Sequence, residues 1–215
     1  MATEASDHRP VWKTAILTIP AIVIVGTLMG YLSNSGFQNS WYADLRKPTF
    51  QPPAWMFGVV WTTLYTMLGL ALAIVLQEPP SKQRSDGLWL FGGQLALNFA
   101  WSPVFFSMHM IDVALVLIVV MLIMALLAAR YFRTLNSIAG WLMLPYLLWL
   151  CLATALNYET GKLNPGADAS PLGSGLGAPC GSCCGFPRRP AIRSINSSDA
   201  ISSSRSASSF TSSHG

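Results

Sequence analysis

Charge is scarce in this chain. Only 10% of its 215 residues are Asp, Glu, Lys or Arg, against about 25% in an ordinary soluble domain. None of them lies near the centre of a long apolar run; Asp112, Arg130 and Glu159 stand at run ends. Ion-coupled transporters place ionisable groups at membrane depth, and no inverted repeat relates the two halves, so that class is disfavoured. Histidine is also sparse: His8, His109 and His214 are isolated from any acid and nucleophile. A Gly-rich phosphate loop and a Ser/His/Asp constellation are both missing, which removes the usual phosphoryl-transfer and hydrolytic chemistries. His109 lies between Met108 and Met110, all haem-ligand types, but the trio falls in a tight loop and reads as a turn. Of the four cysteines, Cys151 reads as a small packing residue inside an apolar run. Cys180, Cys183 and Cys184 make a single C-x-x-C-C cluster with no second cluster, too little for a zinc or redox site. No metal site is expected. The net charge of +4 is spread over run ends and the C-terminal tail, which provides no nucleic-acid surface.

What remains is apolar and aromatic. Hydrophobic residues make up 52% of the chain, and all eight tryptophans fall before residue 160. A spanning helix needs about 20 mostly apolar residues. Five segments have that length, at 11–32, 54–77, 87–107, 112–132 and 138–158. Irregular backbone cannot face lipid, so these runs must be helical, with Pro20, Pro103 and Pro145 marking kinks. The polar, charge-mixed residues 1–10 lack the form of a cleavable signal, and the run that follows is too long for one. The expected fold is all-α: a bundle of five transmembrane helices over 11–164, with an up-down path imposed by short connections at 78–86, 108–111 and 133–137. The first connection, 33–53, is long and rich in Trp, Tyr and Pro, which suits a membrane interface. Lys and Arg favour the N-terminal side (Arg9, Lys13, Lys82, Arg84, Arg130 and Arg133, against Arg46, Lys47 and Lys162), which orients the N-terminus to the cytoplasm of a bacterial cell membrane; in a eukaryote the mitochondrial outer membrane would be the counterpart. Residues 165–215 are rich in Ser, Gly and Pro, with too little apolar surface to offset ordering entropy, and read as a disordered tail.

Several patterns carry more than helicity. Gly92, Ala96 and Ala100 recur every four residues and, with the adjacent Gly93, allow a close helix approach; the partner is either a second copy or a helix of the same chain. Gly26 and Gly30 pose the same choice. Gln94 and Asn98 lie one turn apart, followed by Trp101. Amides at this depth must be satisfied, either by neighbouring helices or by a ligand. Trp61 and Tyr65 share a helix face, as do Trp149, Ala153 and Asn157. Aromatic walls from several helices suit a flat apolar ligand with a few polar edges. Leu156, Tyr158 and Lys162 fit a loose sterol-contact pattern, or else simply anchor a helix end.

Three stretches resemble the signatures of the TspO/translocator-protein family, also called tryptophan-rich sensory proteins or peripheral benzodiazepine receptors. The first runs Trp41-Tyr42-Ala43-Asp44-Leu45-Arg46-Lys47-Pro48, then Pro52-Pro53-Ala54-Trp55 and Val60-Trp61-Thr62-Thr63-Leu64-Tyr65. The second is Gln94-Leu95-Ala96-Leu97-Asn98-Phe99-Ala100-Trp101-Ser102-Pro103-Val104-Phe105-Phe106. The third is Pro145-Tyr146-Leu147-Leu148-Trp149, continuing to Ala155-Leu156-Asn157-Tyr158. The resemblance covers about residues 11–164. It implies a five-helix homodimer that binds porphyrins (protoporphyrin IX, haem) and sterols between its helices, with no obligatory cofactor. Trp61, Asn98, Trp101, Trp149 and Ala153 would line the pocket, with Tyr65 and Leu156 beside them. Trp41 and Tyr42 would belong to a lid, and Gly93 to the dimer seam. The family is also linked to oxidative or light-dependent porphyrin breakdown, for which Trp41 and Trp149 would be the suspected relays. A scaffold acting through protein contacts is the third reading. Phe99 stands where many members have tryptophan, and Val113 where animal members have a pocket tryptophan.

Overall fold

A computed structural model describes residues 10–169. Within them every regular element is helical: α1 (Val11–Leu32), α2 (Ser40–Asp44), α3 (Ala54–Gln77), α4 (Lys82–Ser102), a π-helical turn (Pro103–Ser107), α5 (Ile111–Leu135), α6 (Ser137–Leu142) and α7 (Leu144–Leu163). The helix starts follow from local chemistry. Ser81 caps α4 by accepting from the Arg84 amide at 3.1 Å, and the Lys82–Asp86 pair at 3.0 Å supports the first turn, so α4 begins five residues before the apolar run at 87. Asn136 ends α5 and caps α6, accepting from the Ile138 amide at 3.0 Å.

The interruptions expected at Pro103 and Pro145 are present, and their form shifts the helix boundaries. The run at 87–107 is not one α-helix: it gives way at Pro103 to a π turn closed by Met108 N–H donating to Pro103 O at 3.0 Å. The run at 138–158 is two helices broken at Met143, with Pro145 in the first turn of α7, where its missing N–H costs nothing. α7 then continues to Leu163.

Among the described residues, four segments are long and apolar enough to cross a membrane: α1, α3, α5, and α6–α7 taken together. The remaining long helix, α4, has 21 residues and a charged first turn; at 1.5 Å per residue it is about 31 Å long. The five long segments close a ring in the order α1, α3, α6–α7, α5, α4 and back to α1. Outward faces are apolar, as with Leu17 (73% exposed) and Leu148 (63% exposed), and exposed Trp12, Trp89 and Trp141 at one end oppose Trp55 and Tyr31 at the other. That distribution is the solvent pattern of a bilayer.

Small residues set the helix spacing. A Cβ at Gly69 would fall 2.7 Å from the Ile19 Cα, and one at Gly26 would run into the Tyr65 ring, so α1 and α3 pack backbone to backbone. Thr18 Oγ1 also donates to Gly69 O at 2.8 Å. Ala71 and Ala73 of α3 and Ala125 and Ala128 of α5 are fully buried, and Phe91 of α4 stacks on Phe132 of α5 at 5.3 Å. Gly26 therefore serves packing within the chain. Cys151, expected to pack inside, is exposed on the outer face of α7.

Residues 165–169 stay with the helical body. Asp168 accepts from the Ile111 and Asp112 amides at 2.8 and 3.2 Å, capping α5, and the Ala169 amide donates to His109 O at 3.0 Å. The rest of the expected tail, with Cys180, Cys183 and Cys184, lies outside the described residues.

Candidate functional site

The ring of helices encloses a cavity of about 750 Å³ at the end where α1 and α4 finish and α3 begins. Its aromatic wall is Trp61 and Tyr65 from α3, Phe99 and Trp101 from α4, and Trp149 from α7. The rings brace one another: Trp61 lies 5.2 Å from Tyr65 and 6.2 Å from Trp149, the latter edge to face. Ala153 and Leu156 of α7 complete that side.

A directional hydrogen-bond chain lies beside this wall. Tyr65 Oη donates to Asn98 Oδ1 at 2.8 Å, Asn98 Nδ2 donates to Tyr146 Oη at 3.2 Å, and Tyr146 Oη donates to Gln94 Oε1 at 2.6 Å. Four buried polar side chains thus tie α3, α4 and α7 together. Both amides work between helices, the first of the two roles open to them. Asn98 also reaches the cavity wall. Gln94 Nε2, Trp101 Nε1 and Asn157 Oδ1 are buried without a partner among the described residues; Trp101 and Asn157 belong to the cavity lining.

The long connection between α1 and α3 lines one end of the cavity. Asn39 caps α2 by accepting from the Tyr42 amide at 3.1 Å, and its Nδ2 donates to Phe106 O at 3.0 Å. Tyr42 contributes to the cavity lining, packs edge-on against Phe105 and Phe106, and accepts from Gln51 Nε2 at 2.9 Å. Burial pushes its phenol above the ordinary tyrosine value, and the Gln51 bond offsets part of that. Lys47 Nζ donates to the carbonyls of Tyr42, Ala43 and Leu45 at 2.8–3.2 Å, satisfying the open end of α2. Asn164, just past α7, holds the Arg46 backbone from both sides, accepting from its N–H at 2.7 Å and donating to its carbonyl at 2.8 Å.

Trp41 has a different place from the other suspected residues. It lies outside the cavity lining, stacked on the His109 ring at 4.3 Å and 20° and edge-on to Phe105 at 5.6 Å. His109 adopts a left-handed backbone, φ 58°, in the turn between the π turn and α5. The two suspected relays, Trp41 and Trp149, are therefore not on one wall. Nor is the sterol pattern one surface: Leu156 faces the cavity, whereas Tyr158 is exposed with Lys162 Nζ 5.2 Å over its ring. On α4, a Cβ at Gly92 meets nothing, while one at Gly93 would meet Met124 Cε of α5. Gly92 and Ala96 face outward and Ala100 is half-buried; Gly93 packs within the chain.

Sequence reasoning missed Asn39, Gln51, Asn164 and Asp168. Asn39 was detectable as a capping residue ahead of Ser40-Trp41-Tyr42. Asn164 and Asp168 act across more than fifty residues of sequence, a separation that periodicity does not report.

A ring of helices with apolar outer faces around an aromatic cavity defines an integral membrane helical bundle with an inter-helix cavity. The chain belongs to the TspO/MBR family, which it matches over residues 18–163. It is 40% identical over 126 residues to the tryptophan-rich sensory protein of Cereibacter sphaeroides, covering 59% of this chain and 78% of that one. It is 38% identical over 138 residues to the translocator protein of Ovis aries, covering 63% and 80%. It is 30% identical over 152 residues to the protein CrtK of Rhodobacter capsulatus, covering 70% and 95%.

Proposed function

We propose that this protein is a membrane receptor or carrier for tetrapyrroles, protoporphyrin IX and haem above all, with sterols as a second ligand class. The observation that carries this reading is the 750 Å³ cavity walled by Trp61, Tyr65, Phe99, Trp101 and Trp149. Indole and phenyl faces stack on a flat macrocycle, and the cavity falls within the size range of small-molecule sites. The indole N–H of Trp101 and the Asn157 carbonyl, unpartnered within the described chain, are a donor and an acceptor suited to polar edges of such a ligand. The connection held by Asn39, Lys47 and Asn164 acts as its lid. The protein works as a homodimer through the outward face of α4 at Gly92, Ala96 and Ala100, in a bacterial cell membrane.

The test is a titration of the solubilised protein with protoporphyrin IX, following tryptophan quenching, with Trp149→Phe and Asn98→Ala alongside. Saturable binding near one ligand per protomer, weakened by either substitution, is expected. Linear quenching equal in all three proteins means partition into the micelle, and the reading fails. Porphyrin loss under light or oxidant that survives substitution of both Trp41 and Trp149 would rule out the degradative role for that pair.

A further inference from the structure

At the end of the bundle opposite the cavity, a groove of about 540 Å³ runs between the start of α4 and the end of α5. It is lined by Leu127, Arg130, Tyr131 and Thr134, with Leu135 beside them and Gln83 across from them. Residues 127, 130, 131 and 134 follow helical spacing, so one face of α5 builds most of the groove. Tyr131 is seated close to α4, its Cβ 3.0 Å from where a Cβ of Gly87 would stand.

The charges around the groove are unevenly satisfied. Lys82 pairs with Asp86 at 3.0 Å. Arg84 spends its guanidinium on the Val75 and Leu76 carbonyls at the end of α3. Arg133 stands over the Trp141 ring at 6.0 Å, and Glu78 accepts from Asn136 at 3.1 Å. Arg130 is exposed and makes no ion pair or hydrogen bond among the described residues. Exposed Trp12, Trp89 and Trp141 mark this end as the level where the bilayer turns from tails to headgroups. Arg130 lies one helical turn deeper than Arg133, and Leu127 one turn deeper again.

We propose that this groove binds the headgroup of an anionic phospholipid. An arginine at this depth extends toward the interface, and its guanidinium fork matches phosphate oxygens in a bidentate fashion. Tyr131 Oη and the Gln83 amide supply neutral donors, and Leu127 and Leu135 take the first part of an acyl chain. Neither Glu78 nor Asp86 lines the groove, and Asp86 is already paired with Lys82, so Arg130 is the one charge the groove presents, and it favours a net-anionic phosphatidylglycerol headgroup over a zwitterionic one. Basic pockets at the ends of transmembrane helices recognise anionic lipids by this chemistry. The groove and the cavity share no lining residue, so this inference stands apart from the tetrapyrrole reading.

The test is native mass spectrometry of the full chain, delipidated in neutral detergent. It is titrated separately with phosphatidylglycerol and phosphatidylcholine of identical chains, and then with inorganic phosphate as competitor. One saturable phosphatidylglycerol per protomer is expected, with phosphatidylcholine binding more weakly. Arg130→Gln should weaken the anionic lipid about tenfold, as loss of a charge-assisted pair requires. Arg130→Lys should restore part of it, and Leu127→Trp should block the groove with the charge intact. Arg130 and Leu127 are both exposed, so the fold survives either change. Equal retention of the two lipids, or an unchanged Arg130→Gln protein, overturns the proposal. Displacement by inorganic phosphate makes the site one for a soluble anion. If Arg130→Gln lowers the dimer population without changing the lipid count, a second copy covers the groove; either result also overturns it.

Discussion

Tyr65 donates to Asn98 across 2.8 Å, linking α3 to α4 at the cavity wall. Replacing Tyr65 by Phe keeps the ring and leaves Asn98 Oδ1 without its donor. Inter-helix hydrogen bonds in membranes are worth about 0.6 kcal/mol on average and up to about 1.7, so Tyr65→Phe should lower thermal stability by about 1 kcal/mol. Asn98→Ala opens two links at once and should cost more than Tyr65→Phe. Thermal unfolding in one detergent measures both. Equal, negligible losses would mean that the chain of four side chains does not hold the helices together.

The glycines of α1 and α4 should behave in opposite ways. Gly26→Val forces a branched side chain into the space held by the Tyr65 ring, and overpacking of this kind costs about 1–3 kcal/mol. Gly92→Ala adds a methyl where nothing stands and should leave monomer stability unchanged or slightly raised. A dimer population that falls in Gly92→Leu, read by cross-linking, would place the seam on this face; an unchanged population would move it elsewhere.

Asn164 and Arg46 exchange two hydrogen bonds that tie the connection between α1 and α3 to the end of α7. Asn164→Ala should therefore loosen the connection between α1 and α3 while leaving the bundle intact. Faster amide hydrogen exchange over residues 36–51, with unchanged exchange in α3 and α5, is the expected pattern. Uniform acceleration would mean that the contact supports the whole fold.

Tyr42 makes this connection sensitive to alkali. Burial raises its pKa above the ordinary tyrosine value of 10.0, so the folded form holds the phenol proton that the open form releases. The resulting stabilisation is complete below pH 10 and declines as pH rises between the ordinary and the raised value. Protease sensitivity of residues 36–51 should increase above about pH 10, and Tyr42→Phe should remove that increment. A rise of the same size in Tyr42→Phe would assign it to another group.

Run length made the five long segments readable from sequence, and aromatic spacing pointed to the wall residues Trp61, Tyr65 and Trp149, while Trp101 came only with the family resemblance and Phe99 was not expected there. Trp61 and Tyr65, one turn apart, do share a face, and so do Trp149 and Ala153. Pro103 and Pro145 flagged both interruptions, but hydropathy is indifferent to hydrogen-bond geometry and did not show their form: a π turn after Pro103 and two separate helices around Met143. Cys151 was placed inside because its neighbours are apolar, yet in a bilayer the outer face is apolar too, so hydropathy alone does not separate core from lipid. The lid contacts were out of reach for another reason. Asn164 recognises the Arg46 backbone rather than its side chain, and such pairing leaves no compositional trace.

His109 answers to two requirements that few other residues meet together. Its backbone, at φ 58°, lies in the left-handed region that glycine, asparagine, aspartate and histidine enter most readily, while its ring supplies the flat partner that Trp41 stacks on. Glycine would relax the turn and abandon the stack; phenylalanine or tyrosine would keep a ring and strain the turn. The position should therefore tolerate very few substitutions in a mutational library, and those that survive should divide into two groups with distinct defects, one in the turn and one in the aromatic pairing.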